Sequence, residues 1–146
     1  MDEMILKILN MIPTSSQTES SVRAVLNRLT SLGYPPNEAD AWEISFVMLD
    51  VENRIKNSCN TTSIPEGLFN IAVDMTCGQF LMIRKNSGRL EISDLDLSGA
   101  IASISEGDVS ISFDTNSTDE QKFNQLVNYL MTKGEGDFIC YRRLKW

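Results

Sequence analysis

The chain has 146 residues, 42% of them hydrophobic and 23% charged, with a formal net charge of −7. That length suits one domain with its own core, and the composition excludes a disordered or membrane-embedded chain. The acidic balance argues against coating nucleic acid, a task that recruits phosphates with excess Lys and Arg, but leaves open the lining of a passage through which DNA slides, so it informs only once a context is known.

The first predicted element spans Asp2 to Met11, with Met4, Ile5, Ile8, Leu9 and Ile12 at helical spacing and acids in the first turn, where the helix dipole favours them. Pro13 ends it, and 14–18 is a polar connector. A second helix is predicted from about Glu19 to Leu32, presenting Val22, Val25, Leu26, Leu29 and Leu32, with Gly33 where a left-handed C-terminal cap belongs. Tyr34-Pro35-Pro36 makes a stiff link, and Asn37 is a credible N-cap for a long third helix, 38–58. There Trp42, Phe46, Leu49 and Asn53 follow one line, and Ile44, Val47, Val51 and Ile55 broaden it, which predicts burial on more than one side.

Ser63 and Pro65 open a fourth helix. Leu68, Ile71, Ala72, Met75, Gln79 and Met82 share one stripe, with Phe69, Val73, Cys77, Phe80 and Leu81 beside it. These two long helices are expected to form the antiparallel centre of a bundle. Residues 87–99 read as a loop or mobile excursion. Residues 100–113 alternate around Ser105-Glu106-Gly107-Asp108, which predicts a β-hairpin that needs either the helices or a second chain to pair with. Thr118 caps a last helix, 119–131, with Phe123, Leu126, Val127 and Leu130 inward. The expected fold is therefore mainly α: a small single-domain helical bundle around two long antiparallel helices, with a short β-hairpin and a flexible C-terminal segment.

That segment, 134–146, places a glycine pair before Phe138-Ile139-Cys140-Tyr141-Arg142-Arg143-Leu144-Lys145-Trp146. An aromatic and basic strip on a glycine hinge reads as a docking element; the competing reading folds Phe138, Tyr141 and Trp146 back onto the chain's own core. The acidic start and the short, interrupted apolar run 5–12 predict neither a signal peptide nor a membrane span. Cys59, Cys77 and Cys140 lack metal or disulfide spacing, so reduced thiols and a cytosolic compartment are expected.

The chain contains no histidine, which removes the Ser-His and Cys-His nucleophile pairs and most zinc sites. No phosphate-binding glycine motif is present. Asp94-Leu95-Asp96 lacks the rest of a calcium loop, and Glu106-Gly107-Asp108 is simpler as turn chemistry than as a carboxylate pair. Neither an enzyme nor a cofactor is expected.

Several stretches carry a resemblance. They are 40–43, 51–60, Ile64-Pro65-Glu66-Gly67-Leu68, Ala72-Val73-Asp74-Met75-Thr76-Cys77-Gly78-Gln79-Phe80-Leu81, Ser103 to Phe113, and the ending Asp137 to Trp146 with its Tyr-Arg-Arg and Trp. Taken in order from Gly33 to Trp146, the set resembles the head-tail connector (portal adaptor) proteins of tailed phages and prophages of Gram-positive bacteria. The resemblance implies a structural protein without an active site. It would bind beneath the portal as a ring, usually twelve-fold, extending the DNA channel towards a downstream head-completion or tail protein. It would assemble in the bacterial host cytoplasm and reside in the virion neck.

By the same resemblance, Phe138, Tyr141, Arg142, Arg143 and Trp146 are portal-contact candidates, and Glu106, Asp108, Val109, Ile111 and Phe113 are candidates for a subunit or downstream contact. Arg142 and Arg143 would offer bidentate pairs to carboxylates, and Trp146 a buried anchor. Two other classes stay open: a non-catalytic bacterial regulatory or protein-binding helical module, and a histidine-free hydrolase working with converging carboxylates.

Overall fold

The computed structural model describes residues 2–13, 15, 17–97, 99–100 and 118–142. The described residues form helices α1 (Asp2–Met11), α2 (Glu19–Ser31), α3 (Ala41–Cys59), α4 (Phe69–Asn86), α5 (Asp119–Thr132) and a short α6 (Phe138–Tyr141), and they contain no strand. The mainly helical bundle is thus as expected. The hairpin predicted over 100–113 lies outside the described residues apart from Ala100, which sits in a helical turn, its N–H donating to the Asp96 carbonyl at 2.9 Å.

Local chemistry sets the helix ends. Past α2, the Tyr34 N–H bonds the Leu29 carbonyl and the Gly33 N–H bonds that of Thr30, closing the last turn around Gly33 at φ +92°. A side chain at Gly33 would be strained by that φ and would collide with the Asp96 backbone. Asn37 and Asp40 form a capping box: Asn37 Oδ1 accepts from the Ala39 N–H at 2.9 Å, and Asp40 Oδ2 accepts from the Asn37 N–H at 3.0 Å. Thr118 and Gln121 do the same for α5. At the far end of α3, Asn60 takes the left-handed conformation, with φ 58°.

α4 is the central element. Ala72 to Gly78 is buried without interruption, as are Phe80, Leu81 and Arg84, so the helix is covered nearly all round. It runs antiparallel to α3, because Arg84 near its C-terminus pairs with Asp40 before α3, and Gln79 donates to Asp50 at 2.7 Å. It is also antiparallel to α5, with Lys85–Glu120 at one end and Lys133–Asp74 at the other. Gly78 permits that approach: a Cβ there would lie 2.9 Å from the Leu130 Cβ. α2 docks through Arg28–Asp74 at 2.9 Å and through the Tyr34 ring set edge-on to Phe80. α1 covers the α2–α3 side with Met4, Ile5 and Ile8.

Two segments depart from expectation. The segment 87–97 is mostly the expected loop but not an excursion, because Leu90, Leu95 and Leu97 are buried against the bundle and 92–94 forms a 3-10 turn. Its leucines are too sparse among charged residues to show a period, yet three of them are enough to hold it down. Nor is the first glycine of the pair a loose hinge. Gly134 is buried against Ile71 with no room for a Cβ, and Glu135 pairs with Arg54 of α3.

Candidate interaction surface

α3 carries two apolar faces, and the described residues cover only one of them. Ile44, Val47, Met48, Val51 and Ile55 are buried. At about 100° per residue, Trp42 and Ile44 point about 160° apart, so the line Trp42–Phe46 faces away from the core. The two rings are 66% and 55% exposed and stack with centroids 5.9 Å apart and planes within 6°. The expectation that Trp42 and Phe46 turn inward is therefore wrong. They share a helix with the core residues, not a side of it, and Asn53 on the same line is exposed as well. Met11 extends the patch, its Sδ accepting from Ser45 Oγ at 3.5 Å.

Two exposed carboxylates flank the pair in sequence: Glu38 lies in the 3-10 turn before α3, and Asp50, one turn past Phe46, accepts from Gln79 of α4 at 2.7 Å. Neither has a cation partner among the described residues. The neighbouring Glu43, by contrast, is held by Arg89 at 2.9 Å and lies near Arg84. Behind the patch, fully buried Asp40 accepts from the Tyr34 hydroxyl at 3.1 Å and pairs with Arg84, whose guanidinium also sits 5.4 Å from the Phe80 ring. This network fixes the start of α3, and with it the orientation of Trp42 and Phe46.

The second feature lies at the other end of α3. Cys59 Sγ donates to the Phe138 carbonyl at 3.6 Å, and the Phe138 side chain is buried, with 7% of it exposed. Phe138 is therefore a core residue, in keeping with the fold-back alternative, and it anchors the turn beyond it. Ile139 is 76% exposed, Tyr141 is exposed to a lesser degree where its ring lies over Gly67, and Arg142 is exposed. Arg143 and Trp146 lie outside the described residues, as do Glu106, Asp108, Val109, Ile111 and Phe113. Of the residues predicted to make contacts, the structure thus brings together Tyr141 and Arg142 on one exposed turn.

Cys59 and Cys77 are buried and Cys140 is exposed, all three free. Burial, and after it the Asp74 carboxylate, push the Cys77 thiol far above its ordinary range, and burial raises that of Cys59. Asp94-Leu95-Asp96 belongs to the packed turn: Leu95 is buried, and Asp96 Oδ1 accepts from the Gly99 N–H at 3.0 Å. Among the described residues no cluster of three or more acidic or sulfur ligands could hold a metal ion, and no helix is long and apolar enough to cross a membrane. In comparisons with known proteins, no family model, curated protein or solved structure matches the chain.

Proposed function

We infer that this chain is a structural, non-catalytic connector that assembles as a ring beneath the portal of a tailed phage or prophage and prolongs the DNA channel towards the tail. The observation that carries the reading is the second apolar face of α3. A stacked Trp42–Phe46 pair held in water by a rigid helix gains nothing for the monomer, and it has the composition of an interface anchor. The ordered resemblance from Gly33 to Trp146 supplies the context, and the acidic net charge suits a channel wall that must not hold DNA.

On this reading the partners are the portal protein, neighbouring copies in a ring of about twelve set by the portal, and a downstream head-completion or tail protein. No cofactor and no membrane takes part, and assembly occurs in the host cytoplasm before the protein resides in the virion neck. The turn carrying Tyr141 and Arg142 is a docking element, continued in sequence by Arg143 and Trp146; Glu106, Asp108, Val109, Ile111 and Phe113 are assigned to a subunit or downstream contact.

The exposed stack also fits a protein-binding module with no ring symmetry. The two readings part when the chain is mixed with the portal protein encoded in the same genome: a connector adds a closed collar, and a regulatory module leaves the portal bare.

A further inference from the structure

Between the starts of α2 and α4 lies an open cavity of about 540 Å³, within the range of roughly 300–1,000 Å³ that small-ligand sites occupy. Ile64, Phe69 and Val73 give it apolar walls. Ser21, in the first turn of α2, lines the opposite side. Only 9% of Ser21 is exposed, and its hydroxyl has no hydrogen-bond partner among the described residues. The one amide side chain of α2's approach that lines the cavity, Gln17, is committed elsewhere, its Nε2 donating to the Met48 carbonyl at 3.0 Å. A hydroxyl left without a partner at this depth is unfavourable, and Ala would serve the helix better. Ser21 therefore stands where a group from outside can complete it.

The charge of the lining narrows what that group is. Helix starts favour anions, but the only charged residue among the described residues lining this cavity is the exposed Glu66, and Glu19 opens α2. The nearest cation of α2, Arg23, is turned to Glu19 and Asp2. An anion would meet carboxylates there and no cation. Apolar walls with an aromatic ring among them suit an apolar body, and a single buried hydroxyl suits a single polar tip.

We propose that this cavity binds an uncharged aromatic ring bearing a hydroxyl. The ring lies against Ile64, Phe69 and Val73, and its hydroxyl pairs with that of Ser21. A small phenol and the tyrosine side chain of another chain carry the same chemistry. The site goes beyond the connector reading and does not rest on it, since it uses neither the Trp42–Phe46 face nor Tyr141 and Arg142.

The test titrates the full-length, ¹⁵N-labelled chain with p-cresol and follows the backbone amide shifts. Saturable shifts are expected at 17–21 and 64–73. Toluene, which fits the same walls without a hydroxyl, should bind about two- to tenfold more weakly, the net worth of one hydrogen bond. The anion p-toluate should also bind more weakly than p-cresol. Ser21→Ala should bind p-cresol no better than toluene, while its urea midpoint stays at or above that of wild type, because the hydroxyl has no partner to lose. A lowered midpoint would show that the hydroxyl serves the fold and would overturn the assignment. So would wild-type chain that binds toluene or p-toluate as well as p-cresol, or that shows no saturable shifts at the cavity. End-blocked Ala-Tyr-Ala separates the two sources. Binding at the same amides tighter than that of p-cresol supports the site as one for a partner's tyrosine, and weaker binding supports it as one for a free phenol.

Discussion

Asp40 shows how much of the site depends on one buried side chain. It caps the turn before α3, accepts from the Tyr34 hydroxyl and neutralises Arg84, all without solvent exposure. Asp40→Asn keeps the shape and removes the charge, leaving the Arg84 guanidinium uncompensated at that position. The expected loss is about 3–5 kcal/mol, read as a fall in the urea midpoint; a midpoint within error of wild type would mean that the network is not holding α3. Exposed residues behave differently. Trp42→Ser with Phe46→Ser removes two rings that touch each other and water, so the midpoint should move by no more than about 1 kcal/mol. The thiols give a third check at this scale. Cys140 should react with a maleimide in the native protein while Cys59 and Cys77 react only after unfolding, since burial denies access and disfavours the thiolate. Fast labelling of two or more thiols would contradict the packing of Cys59 against Phe138 or of Cys77 within α4.

At the scale of elements, the long helices that build the core were legible because each repeats its apolar residues at helical spacing and ends on a recognisable cap. Gly33, Asn37, Pro65 and Thr118 stand at or next to the predicted boundaries. Two things were not legible. Periodicity reports that α3 is apolar on several sides, but it cannot say which of those sides the rest of the chain covers; Trp42 and Phe46 differ from Ile44 only in direction. The leucines of 87–97 follow no period, so a packed segment reads as a loop. The same limit bears on the C-terminal strip, whose first aromatic, Phe138, is core while Ile139 next to it is not. A deletion of 137–146 therefore removes a buried ring at a cost of about 3–5 kcal/mol, whereas deletion of 142–146 should leave the unfolding midpoint within about 0.5 kcal/mol and still abolish recruitment to the portal. Equal midpoints for the two truncations would show that Phe138 does not support the core.

For the whole molecule, the arrangement is an α3 with the exposed Trp42–Phe46 stack towards one end and the turn carrying Tyr141 and Arg142 at the other, held on a bundle whose centre is α4. Nothing in that arrangement requires the free chain to self-associate strongly. Exposed ion pairs contribute little singly, and a ring that forms on a template gains from having many weak contacts made at once. Trp42→Ser with Phe46→Ser should accordingly leave a folded monomer that fails to complete a collar, which separates an assembly defect from a folding defect. The most direct measurement of the central claim is electron-microscope class averaging of the wild-type chain mixed with the portal protein encoded in the same genome. The connector reading predicts a closed collar added to the portal ring, with the subunit count visible in the averages. A bare portal, with this chain folded and in excess, would contradict it.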